Sequence, residues 1–359
     1  MKKDMLRKIA VDPGFRGFRV AEVREGTVKF YEVPSVIGMG TKDLGWLNNH
    51  KLPHQREQGH QKPFKVSFGN VDYLVGPNVH LYTQPLARQD LDRLGEGPDL
   101  QALMYAVLFR IVNGGSHRVA LLIGQPINVI RDAKQSAELL LKLRGWLIGA
   151  HEFAVDDQPV SVTVEQIQFT NQPVGSYIDW SMDIRGNWIR RGATEEDATL
   201  VIDIGHNTVD TIGIIDGELV GAYTRGEQIG MRRANEAVRE QLMRDYGVEP
   251  TIEETDRLIR TYVKGDQPII QHAHGDADVS PIVAQALDMT HVRILDFIER
   301  VGGKSNQFRH KLISGGGARA LRTKLLRKFP TAHIPTDPAH ANIRGLGIYA
   351  VMPEVFAAN

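Results

Sequence analysis

Two stretches, IAVDPGFRGFRV (9–20) and VIDIGHNTVDTI (201–212), share one pattern. Each is an apolar run that ends in an aspartate, Asp12 or Asp203. Next come one residue and a glycine, Gly14 or Gly205, then polar residues and a second run of strand character. Alternation and turn residues favour a strand-turn-strand unit in both places. The turn chemistry is specific. Glycine permits backbone conformations that a side chain blocks, and successive exposed N–H groups form a concave anion site suited to phosphate. The neighbouring carboxylates do not bind phosphate directly, but they can hold a hydrated Mg²⁺ that bridges to it. Read singly, either motif is an ordinary hairpin. Read as a pair, they suggest two similar domains, and two such turns facing each other would clamp one polyphosphate from both sides; the alternative is two ordinary hairpins with Asp-x-Gly turns.

Working outward, residues 7–33 read as a hairpin or meander, and 38–65 as a long surface excursion rich in Gly, Asn, His, Gln and Lys. Strand pattern returns at 66–82. DLQALMYAVLFRIV (99–112) has helical spacing, with Asp99 as N-cap and Asn113-Gly114-Gly115 as stop. VALLIGQPI (119–127) reads as a buried strand. A helix over 131–144 and strands near 151–155 and 160–168 follow. The pattern then predicts a helix over 174–190 and a polar joint at 191–198. Strands at 200–205, 208–215 and 218–223 turn at Asp216-Gly217. Helices are predicted over 228–245, 252–263, 281–302, 318–328 and 343–351, with a polar stretch at 265–280. Strands alternate with helices throughout, so the class is α/β with mixed sheets.

A third glycine cluster, Ser314-Gly315-Gly316-Gly317-Ala318-Arg319, follows an apolar strand and opens a helix. Phosphates or a nucleoside approach the backbone closely at such places. It is neither a P-loop nor the GxGxxG dinucleotide fingerprint.

Composition narrows the classes. Lys plus Arg and Asp plus Glu are both 43, so no net charge draws the chain to nucleic acid or acidic lipid. There is no cysteine, which removes disulfides, thiolate metal sites and cysteine nucleophiles. The opening apolar run stops at Asp12, too short for a signal peptide. No run reaches the length of a membrane span, and the chain reads as cytoplasmic. The aromatic share of 7% is low and scattered, which argues against a stacking platform for single strands. His272, His274, Asp276 and Asp278 alternate in a polar stretch, and His50, His54 and His60 lie in the excursion. Neither group has a recognised ligand spacing. Arg232, Arg233 and Arg239 interleave with Glu236 and Glu240, as on a solvated helix face.

The three glycine turns, in this order and spacing, resemble those of the actin, sugar kinase and heat-shock chaperone ATPase superfamily. Within it the chain is similar to the ParM-like actin-like ATPases of bacteria and archaea, over nearly its whole length. The first phosphate loop runs from Asp12 to Arg19, with Arg19 where the family commonly has lysine. The second runs from Asp203 to Asp210, with His206 where Gly, Ser or Asp is usual. Gly315-Gly316-Gly317 matches the adenosine loop. Pro34-Ser35 and Asn342-Ile343-Arg344-Gly345 also look like this group.

The resemblance implies two actin-like (ribonuclease H-like) domains, each a mixed five-stranded sheet flanked by helices, with a nucleotide cleft between them. Domain I is expected over 1–190 plus 340–359, with 36–98 inserted as a small subdomain, IB, and domain II over 191–339. ATP, or GTP, and Mg²⁺ are expected in the cleft. Asp12 and Asp203 would hold the metal through water and serve catalysis. Gly14, Phe15, Arg16, Arg19, Gly205, His206, Asn207 and Thr208 would surround the phosphates. Gly315, Gly316, Gly317 and Arg319 would line the nucleoside, and Glu227, in a segment 226–230 opening a helix, would contact ribose or base. Gln172 matches the family's Gln or Glu before the helix that connects the domains. A neutral amide is no strong base, but it orients an attacking water.

The implied activity is slow ATP hydrolysis coupled to head-to-tail filament formation, an open heterologous contact, serving plasmid or other DNA segregation or cytoskeletal positioning. A DNA-binding adaptor protein is an expected partner, and direct nucleic-acid binding is not. The competing readings are a sugar-type kinase on the same fold, a chaperone-type ATPase module, and a binding module that has lost hydrolysis. A kinase needs a carboxylate base aimed at the substrate hydroxyl, and none stands out.

Overall fold

The structure, a computed structural model, describes residues 5–41, 61–86, 96–127, 133–190, 198–302 and 307–357. The predicted joint at 191–198 lies almost wholly outside these residues, as do His50, His54 and His60.

Residues 7–34 build β1 (Arg7–Pro13), β2 (Gly17–Arg24) and β3 (Thr27–Pro34) as an antiparallel meander. β4 (Ile37–Met39), β5 (Phe64–Phe68) and β6 (Val71–Val75) follow. After α1 (Pro98–Val112) come β7 (Gly115–Gln125), α2 (Ala133–Leu147), β8 (Gly149–Val155), β9 (Gln158–Asn171) and α3 (Gln172–Ser181). These strands form one sheet in the order β3-β2-β1-β7-β9-β8-β5-β6-β4. Its first five strands match the expected five-stranded sheet. Nine are present because β8 pairs with β5 and so carries the small β4–β6 unit onto the same sheet.

The second sheet uses β10 (Thr199–Ile204), β11 (Val209–Ile215), β12 (Glu218–Glu227) and, beyond the helices, β15 (His310–Ser314), in the order β12-β11-β10-β15. It has four strands among the described residues rather than five. Helices α4 (Arg232–Tyr246), α5 (Ile252–Val263) and α6 (Ser280–Gly302) pack on it. The short helices α7 (Gly316–Ala320) and α8 (Arg322–Lys328) follow β15, and α9 (Ala341–Val351) returns to the first sheet.

The two sheets repeat one logic. β1 pairs antiparallel with β2 and parallel with β7, while β10 pairs antiparallel with β11 and parallel with β15. The sequence echo is therefore a structural repeat. β1 is buried on both faces, so its apolar run is continuous. Ile9 and Val11 join the core that contains α1, whereas Ala10 faces the α9 cluster with Ala21, Ala120, Ile343 and Leu346. The small residues on that face let the helix sit close.

Several predicted boundaries move. Gly97, not Asp99, is the N-cap of α1. The helix expected over 174–190 ends at Ser181, and Asp183 then caps a turn by accepting backbone N–H bonds from Arg185 and Asn187. The helix expected from 228 starts at Arg232. The polar stretch at 265–280 contains the hairpin β13 (Ile269–His272) and β14 (Gly275–Asp278). Among the described residues, no helix is long and apolar enough to cross a membrane.

Candidate nucleotide cleft

The turns after β1, β10 and β15 open onto one cavity of about 410 Å³, a volume normal for a small-ligand site. It is lined by Asp12, Gly14, Phe15, Arg16 and Arg19 from the first hairpin and by Gln172 at the start of α3. Asp203, Gly205, His206, Asn207 and Thr208 line it from the second hairpin, and Gly315, Gly316, Gly317 and Arg319 from the third turn. Of the residues singled out in the sequence, Glu227 alone is not among the lining. It ends β12, and its carboxylate accepts from Arg300 Nη2 at 3.0 Å. Its place outside the lining has a local cause. Residues 228–231 are not helical, and the chain ties onto the second hairpin turn here: Gly230 N donates to Asn207 O (3.1 Å), and the N–H of Arg232, the first residue of α4, to His206 O (2.7 Å).

Glycine is required here mainly for close approach. A side chain on Gly14 would meet Gly17 O at 2.5 Å. Gly315 combines both demands. Its φ is +86°, and a Cβ there would lie 2.3 Å from Ile204 O and 2.4 Å from Asp203 Oδ1. No L side chain satisfies that position.

Asp12 and Asp203 are both buried, and each is held by an amide from a distant helix start. Gln172 Nε2 donates to Asp12 Oδ1 at 2.6 Å. Asn342 Nδ2 donates to Asp203 Oδ2 at 2.8 Å and accepts at Oδ1 from Ser176 Oγ of α3 at 2.5 Å. Arg19 Nη1 donates to Asp12 Oδ2 (3.1 Å) and its Nε to Glu32 Oε2 (3.2 Å). His340 then bridges Glu32 (2.7 Å) and Asp337 (2.6 Å) through its two ring nitrogens. Both partners are carboxylates, an arrangement that favours a protonated imidazole donating from both nitrogens. Its proton affinity is raised chiefly by the bond to Glu32.

Burial pushes Asp203 up to about 6, with the Asp12 charge adding to the rise. Burial also raises Asp12, against the lowering pull of Arg19. Two buried carboxylates that line one cavity and bind protons too readily suit a divalent cation. Among the described residues, no group of three or more His, Cys, Asp or Glu is placed to hold a metal. A pair of carboxylates with a retained water shell is the Mg²⁺ type of site.

Asp210, opposite Asp203 in the β10–β11 register, is buried and accepts from Thr208 Oγ1 at 2.8 Å. Burial raises it to about 7. A carboxyl with a raised folded-state pKa adds stability at low pH and loses it as pH rises through that value. His340, also raised, acts in the same direction. His206, lowered to about 4 by burial, acts oppositely but only below about pH 6.5. The free protein is therefore expected to melt at a higher temperature at pH 6.5 than at pH 8. Asp210→Asn should flatten that slope, and an unchanged slope in the variant counts against the assignment.

Sequence reasoning did not assign Glu32, Asp256, Arg260, Lys264, Asn235, His340 or Asn342 to the site, yet all of them line the cavity. They come from a strand, from helix faces and from helix ends, none of which carries the glycine-turn signature. Only Asn342 was visible beforehand, as part of Asn342-Ile343-Arg344-Gly345.

Known proteins share this fold. The family model described as actin-like proteins, N-terminal domain, matches residues 10–175. That of the archaeal actin homologue MreB-like, C-terminal, matches 201–327. No curated protein sequence matches the chain. Among solved structures, the fold is similar to a 15-stranded ParM filament from Clostridium botulinum (TM-score 0.73, 18% identity, 96% of this chain and 99% of that one covered). It is also similar to an archaeal actin homologue in complex with ADP (TM-score 0.69, 16% identity, 96% and 99% covered). A third is Bacillus thuringiensis ParM with AMPPNP (TM-score 0.64, 15% identity, 97% and 99% covered). With two facing Asp-ended hairpins on repeated sheets and both family models matched in order, this chain belongs to the actin-like proteins.

Proposed function

We propose that the protein is a nucleotide-dependent, filament-forming ATPase. The supporting observation is the convergence of Asp12 and Asp203 on one cavity, each oriented by an amide, Gln172 or Asn342, at the start of a helix joining the two domains. In this reading, domain I comprises residues 1–190 and 340–359, with subdomain IB at 36–98, and domain II comprises 191–339. Asp12 and Asp203 hold hydrated Mg²⁺, which when bound neutralises charge on the phosphates. The turns at Gly14 and Gly205 present backbone N–H groups to those phosphates. Gly315 to Gly317 and Arg319 border the nucleoside.

Gln172 keeps its amide nitrogen on Asp12, which leaves the amide oxygen to orient a water for attack. Hydrolysis acts on assembly only if the two nucleotide states differ in interface free energy. The α3–α9 crossing joins the cleft to both domains and is the place where such a difference starts. The filament is head-to-tail, subdomain IB lies at one end of it, and a DNA-binding adaptor links it to cargo.

Purified protein with ATP or GTP and Mg²⁺ should scatter light and pellet, and should release phosphate over the same interval. EDTA should stop both. Phosphate release that requires an added sugar would replace this reading with a phosphotransferase. Absence of pelleting with either nucleotide would remove the filament.

A further inference from the structure

Arg16 sits at the tip of the first hairpin turn, between Gly14 and β2, in the segment read from the sequence as a phosphate loop. Its guanidinium is turned across the cleft. Nη2 donates to Asp256 Oδ2 at 2.8 Å, and Nη1 lies 3.4 Å from Glu253 Oε1. Both acids belong to α5, on the second sheet's side, about 240 residues away in the chain. Asp256 is also gripped from its own helix, with Arg260 Nε donating to the same Oδ2 at 2.6 Å. The helix is anchored at that end by a full capping box between Thr251 and Glu254. A pre-oriented carboxylate on a fixed helix thus receives a cation from the opposite wall.

The pair is not a loose surface contact. The side chains of Arg16 and Asp256 keep 26% and 17% of their exposure, and Arg16, Asp256, Arg260 and His206 all line the one cavity. Exposed ion pairs contribute about 0–1 kcal/mol, and partial burial with a two-oxygen landing site raises that. Separating the walls of the cleft requires this pair to break.

We infer that Arg16 is an interdomain strap rather than a phosphate ligand: its ion pair with Asp256 on α5 closes the mouth of the cleft and sets the rate at which nucleotide leaves. The inference rests on the nucleotide reading above. Arg16 acts through Asp256 and is a positioning residue. A guanidinium committed to Asp256 and Glu253 is not available to the phosphates, and the other cation of this hairpin that lines the cavity, Arg19, lies deeper, on Asp12.

The test is the dissociation rate of a fluorescent ADP analogue, loaded with Mg²⁺ on the full chain and chased with excess ATP. The variants are R16M, D256N and R16M/D256N, run at low and high salt with thermal melts in parallel. Each single variant should release the analogue about fivefold faster, as expected for coupling near the lower end of the usual range. The double variant should be no faster than either single one, because both remove the same pair. Salt should speed release from the parent protein and lose its effect in the variants. R16K, which keeps the charge but not the forked donors, should fall between.

Unchanged release in the single variants would overturn the strap while leaving nucleotide binding in place. Effects that multiply in the double variant would also overturn it, by showing that Arg16 acts on the nucleotide independently of Asp256. Failure of the parent protein to take up the analogue would be a different result, and would bring down the nucleotide reading itself.

Discussion

Gly345→Ala is expected to destabilise the protein by about 3 kcal/mol or more, the upper end of what overpacking costs. A Cβ at Gly345 would lie 1.7 Å from the carbonyl oxygen of Gly175 and 2.7 Å from the backbone nitrogen of Asp179. The obstacle is main chain, so no rotamer change relieves it. The reverse approach is equally tight, since a Cβ on Gly175 would meet Asn342 O at 2.1 Å. Helices α3 and α9 therefore cross backbone to backbone. Nearby, Arg344 adds a two-pronged pair to Asp179, with Nε at 2.9 Å from Oδ1 and Nη2 at 2.6 Å from Oδ2. Against a whole-domain stability of about 5–15 kcal/mol, the loss should appear as a large fall in melting temperature and as weaker nucleotide uptake. The crossing shapes the positions of both Gln172 and Asn342. A melt within about 1 kcal/mol of the parent protein would show that the crossing tolerates separation, contrary to the geometry.

Asp203→Ala should abolish measurable phosphate release, and Gln172→Ala should slow it by about 10²-fold while leaving nucleotide affinity near that of the parent. The difference follows from what each side chain touches. Asp203 lies where the second hairpin, Asn342 and Gly315 meet, and removing its carboxylate would delete half of the proposed cation site. Gln172 donates one hydrogen bond to Asp12, so its loss leaves both carboxylates present and, in the proposed reading, disturbs the orientation of Asp12 and of the attacking water rather than binding. Single-turnover phosphate release beside equilibrium binding separates the two effects. Equal rates in both variants and the parent protein would refute the assignment of the site.

What could be read beforehand was local. Asp12 with Gly14, Asp203 with Gly205, and the run Gly315 to Gly317 are turns built by neighbouring residues, and turn chemistry is written within a few positions. The strand runs around them are continuous and apolar because both sheet faces are covered, so α/β order and the repeated hairpin were legible too. Glu227 stands outside the cavity lining for a related reason. Helical periodicity from 228 was real in pattern, but Gly230 and Arg232 bond to the second hairpin turn and delay the helix start.

The amino-acid sequence alone determined the repeated sheets, the three glycine turns and the identity of the two aspartates, since each depends on residues adjacent in the chain. Tertiary structure alone decided which side chains hold them. Gln172 lies 160 residues from Asp12, Asn342 lies 139 from Asp203, and His340 lies 308 from Glu32. Those pairings exist because α3 and α9 cross at two glycines and bring remote helix starts under the cleft. A contact made by packing distant backbones leaves no spacing in the sequence by which to find it.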